Sequence, residues 1–300
     1  MIDIGNIPNK IDNSIKNILK VGNLVRDIDQ IKQALGRIEN RQIKLTAAKD
    51  LQSHEFKVSS QNGEDGIIQF LIEHIEIANP VFIEFGVENY TECNTKFLLT
   101  NNNWSGLVID GSQENINQIV KSTIYWKHNL KAANAFITKE NVNDLFRQNG
   151  LEGEIGLLSV DIDGNDYWVW QAIDSVNPAI VVTEYNYRFG KDRAVTVPYD
   201  EKFFRTDAHY SNIYYGASLK ALVNLGKQKG YAFVGCNTFG NNAFFIREDL
   251  KPDYIKELSV AEGYVMGKFR EARAENGELS FLSIEAEQKL VNSLPLVDVG

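Results

Sequence analysis

From about residue 54 onward, short apolar runs that end on an acidic residue alternate with amphipathic stretches. That alternation is the pattern of a βαβ chain whose largely parallel sheet is buried on both faces. Strands are expected at 81–85 (VFIEF), 106–110 (GLVID), 155–161 (IGLLSVD) and 179–184 (AIVVTE). Two more, 231–235 (YAFVG) and 243–247 (AFFIR), flank a polar connection holding Gly240, Asn241 and Asn242 and read as an antiparallel hairpin. Helices are expected at 64–77, 91–102, 113–122, 139–149, 166–174 and 217–229. The fold class is α/β, a Rossmann-like sheet with helices on both faces.

The first fifty residues differ in texture. Residues 9–46 read as one long helix, free of proline after Pro8. Ile11, Ile18 and Val25 recur at seven, and Val21, Ile28 and Leu35 recur at seven on the neighbouring row. Together they draw an a/d stripe, weakened by Lys32 at the next a position. Such a helix would reach roughly 57 Å at 1.5 Å per residue, longer than a domain needs. The favoured reading is a coiled-coil-like segment that joins copies of the chain into a homo-oligomer. The other is a helical hairpin, broken near Gly22-Asn23, that packs on its own body. The chain then divides into this segment (1–50), the sheet domain (51–250) and a C-terminal extension (251–300), expected to be polar and helical over 251–292.

Composition narrows the function. The chain carries 31 Lys and Arg against 40 Asp and Glu, a formal net charge of −9. The first fifty residues are the basic part, with nine Lys and Arg against six Asp and Glu. An acidic main body disfavours a nucleic-acid partner and suits a cationic cofactor, a metal ion or a neutral polyol. No run of about 18 apolar residues exists, so no membrane span is expected. The N-terminus lacks a basic-then-apolar leader, so a cytoplasmic location is expected, with Cys93 and Cys236 reduced.

Four strand ends carry acids: Glu84, Asp110, Asp161 with Asp163, and Glu184. Open parallel sheets bind ligands at the carboxyl ends of their strands, so this row describes a pocket. Gly86 follows the first strand and would let the backbone approach a ligand closely. Asp110, 24 residues later, stands where a carboxylate accepts ribose hydroxyls. One glycine is not the three of a dinucleotide turn, so a nicotinamide-dependent oxidoreductase is only an alternative, as is a non-catalytic scaffold. Asp161, Asp163, Glu184 and Asn186 offer hard oxygen ligands for Mg²⁺ or Mn²⁺; the competing reading is a capping network around two turns. His209, in a polar aromatic insertion, is a candidate general base or an ordinary hydrogen-bonded loop histidine. The same insertion, 185–218, offers Tyr187, Tyr199, Tyr214 and Tyr215 for stacking on a sugar and Arg188 for a phosphate.

The ordered set resembles a methyltransferase family. Ser60-Gln-Asn-Gly-Glu-Asp65, Glu84-Phe-Gly86, Cys93-Asn-Thr95, Trp104-Ser-Gly106, Val108-Ile-Asp110, Leu158-Ser-Val-Asp161 and Glu184-Tyr-Asn186 look like the FkbM-type S-adenosylmethionine-dependent methyltransferases over about 57–250. The resemblance implies a seven-stranded Rossmann-like sheet with an antiparallel last strand, and O-methylation of a small molecule such as a sugar, glycan precursor or natural-product hydroxyl. It implies cofactor contacts from Gln61, Glu84, Gly86, Asn94, Thr95, Asp110 and Gly111, with Asp161 beside the reacting sulfonium. Glu88 and Tyr90 depart from the family's usual small residues in that turn.

Overall fold

The computed structural model describes residues 7–43, 45 and 50–300, and of the first helix's side chains those of residue 24 and of 26–43. Nine strands are found among these residues: β1 (Val81–Phe85), β2 (Ser105–Asp110), β3 (Leu130–Asn134), β4 (Gly153–Val160), β5 (Val176–Glu184), β6 (Val195–Thr196), β7 (Tyr231–Cys236), β8 (Asn242–Arg247) and β9 (Val297–Asp298). Seven form one sheet in the order β3-β2-β1-β4-β5-β8-β7. The first five are parallel, with Ile83 opposite Leu107 on one side and Leu158 on the other. β8 runs antiparallel to both β5 and β7, so the hairpin expected at 231–247 is present. This is the Rossmann-like sheet, with an antiparallel strand near one edge.

Both faces are covered, which is why the strands read as unbroken apolar runs. On one face Ile83, Phe85, Leu158, Val160 and Phe245 pack with Phe146, Trp170 and Leu222 from helices Val142–Gln148, Asp166–Ala172 and Leu219–Gln228. On the other, Phe82, Val108, Leu157, Val182 and Phe244 meet Ile67, Leu71, Leu98 and Ile119. Short polar caps start several helices: Ser112 accepts from Asn115 N–H and Ser218 from Ala221 N–H. The strand order reverses between β1 and β4, and that switch point opens a crevice at their carboxyl ends.

Four expectations need correction. β3 has no counterpart among the expected strands, because LKAAN is an edge strand with only Leu130 fully buried. The helix expected over 91–102 is only Lys96–Asn101, since Asn94 and Thr95 are drawn into a turn by the Glu84 carboxylate. The N-terminal helix, Ile7–Ile43, is continuous through Gly22-Asn23, so it is no hairpin. Residues 251–300 are mostly irregular backbone and turns, with helices only at Val260–Gly263 and Ile284–Asn292. The reason for the last is tertiary: Tyr185 and Tyr214 donate to the carbonyls of Val265 and Pro295, and β9 pairs with β6. The extension is a strap tied down along its length.

The last turns of the N-terminal helix dock on the sheet domain. Gly36 is buried so closely that a Cβ there would lie 2.3 Å from Val58 Cγ2, and Asn40 donates to Gln69 at 2.8 Å. The side chains of Ile11, Ile18, Val21 and Val25, and residues 44 and 46–49, lie outside the described residues. Among the described residues no helix is long and apolar enough to cross a membrane. Cys93 and Cys236 are both free and buried.

Candidate active site

A cavity of about 540 Å³ opens at the switch point, lined by Gly86, Asp110, Phe136, Asp161, Asp163 and Arg205 among others. Its floor is the turn after β1. Gly86 sits at φ +64°, and a Cβ there would come 2.0 Å from the Asp161 carbonyl oxygen. Only glycine permits both the backbone angle and that approach. The turn continues through two non-glycine residues at positive φ, Glu88 and Tyr90, and is held by hydrogen bonds. Gly86 N–H donates to Ile109 O at 3.1 Å, and Glu88 N–H donates to Asp110 Oδ2 at 2.8 Å.

Asp110 is fixed from both sides. Its Oδ1 accepts from Ser112 N–H at 2.8 Å and from Asn115 Nδ2 at 3.0 Å. The carboxylate therefore ties the floor turn to the start of the next helix, whose N-cap is Ser112, and also faces the cavity. A carboxylate has about four lone-pair sites, so three bonds leave capacity for a ligand hydroxyl. Gly111 and Glu88 line the same wall, and Phe136, large and exposed, stands across from Gly111.

Beneath this turn lies a second polar layer that does not reach the cavity. Glu84 accepts from Asn94 N–H at 2.8 Å, Thr95 N–H at 3.1 Å and the Thr95 hydroxyl at 2.5 Å. Burial pushes its carboxyl up to about 7. Asn94 donates onward to Ser159. Gln61 is exposed and outside the cavity lining. The motif around it is organised by Asp65, which accepts the backbone N–H groups of Val58, Ser59 and Ser60.

The acids beyond β4 and β5 converge. Oxygen atoms of Asp161, Asp163 and Glu184 lie within 4.8 Å of one another. Glu184 is only 9% exposed, and its Oε2 has no hydrogen-bond partner. Burial first, then the neighbouring Asp163 and Asp166, hold the Asp161 carboxyl well above the usual range. Burial, then Asp161 and Asp163, do the same to Glu184. Arg205 opposes both shifts. Its guanidinium donates to Asp163 at 2.6 Å and to Glu271, and lies 3.8 Å over the Tyr215 ring. Asp166 shapes the loop by accepting from Ile162 N–H and Gly164 N–H, and burial lifts its carboxyl to about 6.

Several expected site residues are placed elsewhere. Asn186 is no metal ligand: its amide donates to the carbonyls of Ile213 and Tyr215 and its oxygen accepts from Arg188 N–H. Arg188 is fully buried against Glu287 at 2.6 Å and Glu271 at 2.9 Å, so it offers nothing to a phosphate. Tyr187 lies beneath the Arg188 guanidinium and meets Phe269 edge to face. Tyr214 and Tyr215 donate to Pro295 O and Glu271, and Tyr199 to Glu140. A buried tyrosine must find an acceptor for its hydroxyl, and these find theirs in the strap and the body. His209 packs on Tyr210, with Nδ1 accepting from Ser211, and is not in the cavity wall. Phe136, Asn115 and Arg205 are among the lining residues that sequence reasoning did not single out.

No family model matches the sequence, and no curated protein matches it. Among solved structures, the chain is similar to the N-terminal domain of EvdMO1 with SAH bound, at 13% identity and TM-score 0.43, over 70% of this chain and 94% of that one. It is similar to an O-methyltransferase from Bacillus cereus in complex with SAH, at 11% identity and TM-score 0.40, over 72% and 89%. A S-adenosylmethionine-dependent methyltransferase from Clostridium acetobutylicum ATCC 824 gives 9% identity and TM-score 0.38, over 71% and 96%.

Proposed function

We propose that this chain is an S-adenosylmethionine-dependent O-methyltransferase of the FkbM type, acting on a hydroxyl of a sugar, glycan precursor or similar polyol. Residues 51–250 are its catalytic domain, residues 1–50 join copies of the chain, and residues 251–300 brace the substrate side. With free, buried cysteines, we assign it to the cytoplasm. The observation that carries the reading is the immobilised Asp110 carboxylate facing a cavity whose floor is the Gly86 turn.

The residues present fit the cofactor. About 540 Å³ is within the range of small-molecule sites. Asp110 accepts the ribose hydroxyls, and Phe136 offers a flat apolar face to the base. When bound, the cofactor supplies an electrophilic methyl on a positively charged sulfur. The acid row beyond it suits that charge. In the absence of a metal, Asp161, which lines the cavity, would take the proton that the acceptor hydroxyl gives up on methylation. The Gly86 turn does not suit a nicotinamide dinucleotide: the next helix starts only at Lys96, so no helix N-terminus meets a pyrophosphate there.

Asp161, Asp163 and Glu184 also fit Mg²⁺ or Mn²⁺, because three hard oxygen donors converge and Glu184 Oε2 lacks a partner. Bound there, the ion would act as a Lewis acid that lowers the acceptor hydroxyl's pKa.

Calorimetry with S-adenosylhomocysteine tests the cofactor assignment. Saturable binding in the micromolar range is expected, and no heat at millimolar ligand overturns it. Chelation with EDTA is expected to abolish methyl transfer to a polyol acceptor while leaving S-adenosylhomocysteine affinity unchanged, with activity restored by Mg²⁺ or Mn²⁺. Full activity in EDTA refutes the metal.

A further inference from the structure

The N-terminal helix docks on its own domain by one face and bares an apolar stripe on another. Gln33, Gly36, Asn40 and Ile43 mark the docked face: Gly36 and Ile43 are buried, and Gln33 and Asn40 bond to Thr100 and Gln69. On the other, Leu24, Ile28, Ile31, Leu35 and Ile38 stand out, from 45% to 59% exposed. At 3.6 residues per turn the two faces lie about 150° apart. The exposed set is spaced 4-3-4-3, an unbroken heptad seam. It shares Ile28 and Leu35 with the stripe read from the sequence, but its other members are different. In this register Lys32 flanks the seam instead of interrupting it.

We propose that this bare seam is a parallel coiled-coil interface whose occupant is the same seam of further copies of this chain. Three features of the helix support it. Five large aliphatics exposed in one line exceed what a monomer ordinarily leaves in water. With Ile28 and Leu35 at a and Leu24, Ile31 and Ile38 at d, Asp27 takes a g position and Lys32 the following e′ position, so each parallel pair brings Asp27 against Lys32 of the neighbouring copy. Antiparallel packing in the same seam would instead set Lys32 against Lys32. Docking on the opposite face also leaves each sheet domain outside the assembly. Leu35 at a between isoleucines at d is the combination that favours three or four strands over two. The inference deepens the proposal that residues 1–50 join copies of the chain, and its failure leaves the methyl-transfer reading untouched.

Sedimentation velocity on the full chain tests it. The wild type is expected as a trimer or tetramer. Ile31→Lys with Ile38→Lys is expected as a monomer whose sheet domain stays folded, read by its near-UV circular dichroism, since both side chains are about half exposed or more. Leu24→Cys is expected to form an intermolecular disulfide on oxidation, against no background because Cys93 and Cys236 are buried. In an antiparallel pair those sulfurs would be held about 24 Å apart along the axis, far beyond disulfide reach. A monomeric wild type overturns the proposal, even if the chain binds some other protein or a lipid surface. An oligomer that survives the double lysine variant overturns it too. An oligomer that the lysines dissolve but Leu24→Cys does not link overturns the parallel arrangement.

Discussion

Asp110→Ala is expected to weaken S-adenosylhomocysteine binding by about 100- to 1,000-fold, read by calorimetry. Hydrogen bonds to a charged acceptor are each worth roughly 1.5–3 kcal/mol, and a ribose diol makes two. About 3–4 kcal/mol corresponds to that loss of affinity. The substitution also frees Glu88 N–H, Ser112 N–H and the Asn115 amide, so the floor turn and the next helix lose their common anchor. Each of these lost hydrogen bonds costs about 1 kcal/mol, which a fall in Tm will report. Asp110→Asn separates the two effects, because its amide oxygen can keep Ser112 N–H while the charge is gone. If Asp110→Ala binds within threefold of the wild type, the carboxylate serves the helix alone and the cofactor assignment fails.

What could be read in advance follows from range. The strands that form the sheet's centre were legible because burial on both faces leaves an unbroken apolar run. The edge strand β3 was not, since its half-exposed residues carry no such run. That omission hid Phe136, which the chain places on the cavity immediately beyond β3. Gly86, Asp110 and Asp161 were legible because each follows directly on a strand that periodicity locates. Their neighbours beneath the turn were legible as a cluster but not as a layer: Glu84 satisfies backbone N–H groups ten residues on, and only the fold shows that this takes it out of the cavity. Arg205 and the strap were invisible for a different reason. Arg205 meets Asp163 and Glu271, 42 and 66 residues away, and no local pattern announces such partners. The tyrosines of 185–218 were conspicuous in composition, yet composition does not distinguish a ring that stacks on a sugar from one that pins a strap.

Arg188 makes that distinction measurable. Read from sequence it was a ligand for phosphate; in the fold it is a fully buried cation between Glu287 and Glu271. Arg188→Ala is therefore expected to act on stability. It strands the Glu287 carboxylate, itself only 3% exposed, inside the protein without a counter-charge. Breaking one partner out of a buried pair costs about 3–5 kcal/mol, and for a domain of this size that lowers Tm by roughly 10 °C. The loss should concentrate in the strap, because Glu287 belongs to the helix Ile284–Asn292 and Glu271 to the extended run before it. Hydrogen exchange would show 264–300 opening while β1, β2 and the turn held by Asp110 stay protected. Arg188→Met with Glu287→Met removes both charges and keeps an apolar filling, so it should recover most of the lost Tm. S-adenosylhomocysteine affinity should hold near the wild-type value in the double variant, since neither residue lines the cavity. If instead Arg188→Ala keeps its Tm and loses affinity for a phosphorylated acceptor, the arginine belongs to substrate binding and the strap is held by its tyrosines alone.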